Sequence, residues 1–204
     1  MTDLLSKKPS KPIRYAMVVD LRKCTGCQSC TVACKMENKV PLGVWRTWIN
    51  IREKGDYPYV TKVFLPLFCN NCENPHCVMV CPVKATYKRK DGIVEINPHL
   101  CIGCKICLLA CPYQMRYLHP YKKMADKCDW CLHRVESGLD PACVEACPTG
   151  ALTFGNLMDK ESEVAKLIST NHIQVLKPEM GTNPQVFYIG SDTNLSEIGR
   201  SPYK

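Results

Sequence analysis

The chain lacks any apolar run approaching the roughly eighteen residues that a membrane-spanning helix requires; its longest are Ala16–Val19 and Val63–Phe68. The opening stretch MTDLLSKKPSKPIRY has no h-region, no small-residue cleavage pattern and no twin arginine. The expectation is therefore that no export signal is carried here. Glycine-rich phosphate loops are missing, which excludes the usual nucleotide and flavin sites. No catalytic grouping of serine, histidine and carboxylate stands out, and the histidines at 76, 99, 119, 133 and 172 show no metal-ligand spacing. What the chain has in excess is cysteine, sixteen among 204 residues. With 46% apolar and 23% charged residues, wholesale disorder is excluded. The length suits one ordinary domain or two small ones fused. In the absence of a secretory signal, so many cysteines read as metal-binding thiols rather than as disulfides.

The sixteen fall into four groups of four. The third, Cys101-x2-Cys104-x2-Cys107-x3-Cys111-Pro112, is the complete bacterial ferredoxin run. The first, Cys24-x2-Cys27-x2-Cys30-x3-Cys34, keeps the spacing but has Lys35 in the place of proline. The second, Cys69-x2-Cys72-x4-Cys77-x3-Cys81-Pro82, lengthens one gap by two residues. The fourth, Cys128-x2-Cys131-x11-Cys143-x3-Cys147-Pro148, lengthens the same gap by nine. This is a fourfold internal repeat with insertions at one place.

The spacing has a mechanical basis. Four thiolates must converge on a cubane, so three come from a loop that wraps it, with a small residue such as Gly26 or Gly103 admitting the backbone. The fourth, one helical turn further on, faces away from its own loop and ligates the neighbouring cluster; the following proline ends that turn. Zinc held by four thiolates is the competing structural reading. It has no use for three successive cysteines at this spacing, nor for the Cys-x3-Cys-Pro ending. Covalent haem is excluded because no Cys-x-x-Cys is followed by histidine.

Between Cys81 and Cys101, the segments Lys84–Arg89 and Ile93–Ile96 read as short strands around Asp91-Gly92, the connection expected between two ferredoxin halves. Groups two and three then form one module, and groups one and four form the other by elimination. The expected ligand sets are Cys24, Cys27, Cys30 with Cys147; Cys69, Cys72, Cys77 with Cys111; Cys81 with Cys101, Cys104, Cys107; and Cys34 with Cys128, Cys131, Cys143. The expected fold is α+β, two pseudo-symmetric bacterial-type ferredoxin modules of short hairpins and short helices with loop insertions. Its parts are an arm over 1–13, an outer module from 14–36 plus 125–155, an insertion with strands over 37–66, an inner module over 67–124, and a C-terminal extension over 156–204.

The openings MVVDLRKCTGCQSCTVACKMEN and LPLFCNNCENPHCVMVCPVKATY and the stretch CDWCLHRVESGLDPACVEACPTGAL resemble a known protein type. They are similar to the four-cluster iron–sulfur subunits of the dimethyl-sulfoxide-reductase family of molybdopterin complexes. The segments YLHP and PEMGTNPQVFY and the short length resemble the polysulfide or thiosulfate reductase version in particular. The resemblance covers residues 14–190 and implies four [4Fe-4S] clusters, since all sixteen cysteines are present. It also implies a molybdopterin-containing catalytic subunit and an integral quinol-binding membrane anchor as partners, and passenger export with the catalytic subunit to the outer face of the cytoplasmic membrane. The cytoplasmic face is the alternative.

A net charge of +8 suggests nucleic acid until the clusters are counted. Each cluster with its four thiolates carries about −2 when oxidised, which brings the loaded protein near neutrality. Lys23, Lys35, Lys84, Lys105 and Lys127 stand beside cysteine groups. There they either favour reduction as nearby cations or are solvated surface lysines, and Lys35, in proline's place, is the foremost candidate for tuning. Elsewhere, strands are expected at Arg14–Asp20, Val44–Arg52, Val60–Leu65, Ala151–Phe154 and Val186–Ile189, and a helix at Ser162–Thr170. Trp45, Trp48, Tyr57, Tyr59 and Phe64 form an aromatic cluster that suits either docking or a small core. Trp130 either shields a cluster or simply packs. The functional expectation is a non-catalytic electron-transfer subunit that links a quinol-oxidising membrane subunit to a catalytic subunit reducing a sulfur compound. The alternative is the electron-transfer subunit of a formate dehydrogenase or hydrogenase.

Overall fold

The computed structural model describes residues 12–190, so most of the expected arm, and the tail from 191, lie outside the described residues. The chain opens with β1 (Tyr15–Asp20), which leads into the first cysteine loop and α1 (Ser29–Glu37). Two longer strands, β2 (Trp48–Lys54) and β3 (Thr61–Leu67), pair as an antiparallel ribbon before the second loop and α2 (His76–Met79). The hairpin of β4 (Thr86–Lys88) and β5 (Val94–Ile96) joins α2 to the third loop and α3 (Ile106–Leu109). A second hairpin, β6 (Arg116–Leu118) with β7 (Ala125–Lys127), leads to the fourth loop with α4 (Leu132–Val135) and α5 (Ala142–Glu145). Last come β8 (Leu152–Asn156), α6 (Glu163–Thr170), β9 (Ile173–Gln174), a 3-10 turn at Pro178–Met180 and β10 (Val186–Ile189).

The repeat is written in the backbone as well as in the sequence. The residue just before the second cysteine of each group has left-handed φ: Gly26 at 71°, Asn71 at 38°, Gly103 at 67° and Trp130 at 57°. That kink turns consecutive amides and thiols inward, and glycine is needed where the approach is closest. A Cβ on Gly103 would run into the Lys123 carbonyl oxygen, and one on Gly26 into the Phe64 ring. Each Cys-Pro then closes a tight turn, from Lys84 N–H to Cys81 O (3.2 Å), Gln114 N–H to Cys111 O (3.1 Å) and Gly150 N–H to Cys147 O (3.2 Å).

The first group departs from this because it has no proline to stop its helix. α1 runs nine residues where α2, α3 and α5 have four each. Lys35 packs back on its own loop. Its ammonium donates to the carbonyls of Pro41 (3.0 Å) and Val44 (2.7 Å) and lies 4.7 Å from the centre of the Trp45 ring. It clamps the loop that follows α1 and stands within electrostatic reach of Cys34.

The main sheet has the order β8-β1-β10-β9, with β10 parallel to β1 and the other pairs antiparallel. Met17 and Val19 of β1, Val186 and Tyr188 of β10, and Trp48, Ile49, Leu65 and Leu67 of the ribbon meet in one core with the thiols of Cys30, Cys128 and Cys143. The other face of the sheet is closed by α6, whose Val164 is fully buried and whose Ser162 caps the helix by accepting from the Ala165 N–H at 3.2 Å. The expected aromatic cluster is split by the ribbon's geometry. Trp48 is buried at its base, while Tyr57 and Tyr59, at its tip, are 93% and 86% exposed. Trp130 is buried edge-on against Phe154 with centroids 5.4 Å apart.

Candidate functional site

All sixteen thiols are free. The topology gathers them by packing α1 against α5 and α2 against α3, that is, group one against group four and group two against group three. Burial raises the Cys24 thiol, and Cys147 and Cys27 raise it further. Cys30 is pushed up to about 11 by burial, with Cys24 and Cys147 contributing. One set of neighbours is thus Cys24, Cys27, Cys30 and Cys147. Cys34, pushed up to about 12 chiefly by burial, has Cys131 as a neighbour. Burial likewise takes Cys128 and Cys143 well up, with Cys34 beside both and Cys131 beside Cys143. A third set consists of Cys72, raised by burial to about 12, with Cys69, Cys111 and Cys77 around it.

The remaining four are arranged differently. Cys107 is buried at the start of α3, Cys101 is partly covered and Cys104 is exposed, with α2 leading towards Cys81 alongside. Burial works against the Cys81 thiolate, but the backbone amides of Thr86, Ala85 and Val83 donate to it and hold its pKa below the usual thiol value. In each of the first three sets the fourth member comes from another run: Cys147, Cys34 and Cys111 have left their own loops.

These donors suit an iron–sulfur cluster. Among the described residues no three Cys, His, Asp or Glu side chains converge closely enough for a single metal ion. Four thiolates drawn from two separate runs are the donor set of a multi-iron cluster. Buried thiols with raised pKa values ionise only when metal supplies the countercharge, so binding would release protons and contribute folding energy.

Several polar side chains around the thiols were not singled out by sequence. Asn38 Nδ2 donates to Cys131 Sγ at 3.4 Å and Cys34 Sγ at 3.8 Å, and is oriented by Arg46, whose Nη1 donates to Asn38 Oδ1 at 2.9 Å. Arg46 itself is fixed by Asp126 (2.9 Å) and Asp129 (3.2 Å); burial opposes its charge, and these carboxylates hold it. Thr182, whose hydroxyl shares a hydrogen bond with the Tyr113 hydroxyl (2.5 Å), stands near Cys72 on the C-terminal segment, which is pinned to the second loop by Glu73 N–H to Asn183 O (2.8 Å) and Asn74 N–H to Thr182 O (3.0 Å). Arg116 Nη2 donates to Cys77 Sγ at 3.0 Å, and Cys107 also lies within electrostatic reach of Arg116. Of the lysines singled out by sequence, Lys23, Lys84 and Lys105 are exposed, whereas Lys127 is buried.

Comparison with known proteins agrees with this chemistry. Residues 60–157 match the family model described as a 4Fe-4S dicluster domain. The B subunit of tetrathionate reductase from Salmonella typhimurium is 50% identical over 184 residues, covering 88% of this chain and 73% of its own length. Protein NrfC of Escherichia coli is 45% identical, covering 87% of this chain and 81% of its own. The B chain of polysulfide reductase from Wolinella succinogenes is 42% identical, covering 86% and 94%.

Proposed function

The protein belongs to the iron–sulfur electron-transfer subunits of the dimethyl-sulfoxide-reductase family of molybdopterin oxidoreductases, and from that premise we propose that its sixteen cysteines hold four [4Fe-4S] clusters in a row. When bound, each cluster supplies one-electron chemistry; the chain positions, insulates and electrostatically biases it. The observation that carries this reading is the exchange of fourth cysteines. Cys147 stands with the first group, Cys34 with the fourth and Cys111 with the second. The ligand sets are Cys24, Cys27, Cys30, Cys147; Cys34, Cys128, Cys131, Cys143; Cys69, Cys72, Cys77, Cys111; and Cys81, Cys101, Cys104, Cys107. They form two ferredoxin modules of related design.

Proximity across sets gives their order. Cys30 neighbours Cys34 and Cys143, Cys128 neighbours Cys69, and Arg116 joins Cys77 to Cys107. The row therefore runs from the Cys24 set through the Cys128 and Cys69 sets to the Cys101 set. Its two end sets each include an exposed thiol, Cys27 at one end and Cys104 at the other. Electrons would enter and leave there, while the buried middle excludes water. Beside Cys104, Ile102 is 66% and Leu109 88% exposed, an apolar rim that suits an integral membrane subunit. The Cys27 end is then left for the molybdopterin catalytic subunit.

The relatives' names favour a sulfur-compound acceptor over the formate dehydrogenase or hydrogenase reading, and the loaded protein's near-neutral charge gives nucleic acid no purchase. The site of action is the outer face of the cytoplasmic membrane, reached as the folded passenger of the catalytic subunit, because clusters are inserted where iron and sulfide are supplied. Fractionation of cells lacking that subunit should find the protein in the cytoplasm; protein outside in that strain refutes passenger export. For the ligation, Cys34→Ser should alter the spectrum of the cluster held by Cys128, Cys131 and Cys143. An altered cluster at Cys24, Cys27 and Cys30 instead would overturn the exchange.

A further inference from the structure

Two buried cations face each other across a hairpin of three-residue strands. Arg116 of β6 and Lys127 of β7 are directly opposite cross-strand partners, and each is only 3% exposed. Like charges in that relation repel, and a buried charge without a counterion is costly. Among the described residues neither has a carboxylate partner. Arg116 spends its donors on Thr86 Oγ1 (3.2 Å) and Cys77 Sγ (3.0 Å), with Cys107 within electrostatic reach. Lys127 donates to Asn71 Oδ1 (3.2 Å) and Cys128 O (2.7 Å). The hairpin's other face follows the opposite rule, since Asp126, opposite Tyr117, accepts from Tyr117 and pairs with Arg46.

Among the described residues this is the one strand-to-strand pair of unneutralised cations; it lies among three cysteine sets, whose clusters would supply the negative charge to hold it. We propose that Arg116 and Lys127 act as a cation bridge that raises the reduction potentials of the interior clusters. On the ligation set out above, on which this rests, Arg116 acts on the clusters of Cys77 and Cys107, and Lys127 on those of Cys69 and Cys128. The Cys69 set is the one they share. The pair therefore makes that interior cluster the easier to reduce, and it offsets the repulsion between electrons held on adjacent clusters. The Cys24 set, at the far end, is untouched by either cation. The lysine is the one the cysteine-adjacent pattern points to in company with four others; the arginine is invisible to that pattern because it lies five residues beyond Cys111.

The test is a potentiometric titration followed by electron paramagnetic resonance on the full chain, anaerobically purified with its clusters. Arg116→Gln, Lys127→Gln and Arg116→Lys are compared, with Cys77→Ser, Cys107→Ser, Cys131→Ser and Cys27→Ser assigning the signals. Each glutamine variant should lower the shared cluster's reduction equilibrium about tenfold, about 59 mV for one electron. The Cys107 cluster should fall with Arg116→Gln alone, the Cys24 cluster should stay, and Arg116→Lys should remain near wild type. Full iron with an unchanged midpoint at the shared cluster overturns the bridge and leaves the ligation standing. A shift confined to the Cys24 cluster overturns the ligation as well. If both glutamine variants lose iron, retention in Arg116→Lys supports the need for charge, whereas loss in all three makes the requirement one of shape and overturns the proposal.

Discussion

Gly103 and Gly150 have nearly the same backbone, φ 67° and 61°, but opposite surroundings. A Cβ at Gly150 meets nothing within 4 Å, whereas at Gly103 it meets the Lys123 carbonyl oxygen. Placing alanine in the left-handed region costs roughly 1–2 kcal/mol at either site, of which about 0.4–1 kcal/mol is returned by the stiffer unfolded chain. Gly150→Ala should therefore destabilise by about 1 kcal/mol or less. At Gly103 the obstacle is backbone, held in turn by Lys123 N–H to His119 O at 2.9 Å, so it cannot swing aside as a side chain would. Relieving that overlap adds about 2 kcal/mol by shifting the Cys101–Cys104 loop. For a protein of this size, 2 kcal/mol lowers the melting temperature by about 4–8 °C. Anaerobic thermal unfolding read beside iron content decides the matter. Gly103→Ala should melt well below Gly150→Ala and lose about four irons, because its loop carries two ligands of one cluster. Equal melting temperatures, or Gly103→Ala with its full iron, would refute the reasoning that loop shape and cluster retention are linked there.

Arg46→Ala should be among the more damaging changes outside the cysteines, because it leaves Asp126 and Asp129 unpaired around a side chain only 12% exposed. The expected loss is about 3 kcal/mol, the lower part of the range for breaking a buried pair, since Asp126 still accepts from Tyr117 at 2.5 Å; thermal unfolding against Arg46→Lys measures it. Lys35→Met should cost about 1–2 kcal/mol by releasing the carbonyls of Pro41 and Val44, with cluster potentials unchanged. A displaced midpoint in that variant would show that Lys35, within electrostatic reach of Cys34, tunes a cluster as well.

The cysteine pattern makes most of the site legible without coordinates, because cluster geometry imposes short-range spacing that a sequence displays directly. The β4–β5 hairpin is legible for the same reason: Asp91-Gly92 is a local signal, and Gly92 has φ 91°. The β6–β7 hairpin is not, since its three-residue strands carry too little alternation to register. Nor can spacing reveal that β10 slots in parallel beside β1, a pairing of segments at opposite ends of the described fold. At Lys35 spacing shows a missing proline and a nearby charge, but not what the side chain holds: α1 continues, and the lysine caps the loop beyond it. Arg116, Arg46 and Asn38 escape a reading of the sequence because contact with a distant thiol leaves no mark on spacing.

The metal content of the intact protein tests the four-cluster assignment most directly. Anaerobically purified, it should hold about sixteen irons and sixteen acid-labile sulfides and, fully reduced, give paramagnetic resonance signals integrating to about four spins. About eight irons with eight cysteines still alkylatable, or about four zincs with no visible absorbance, would contradict it.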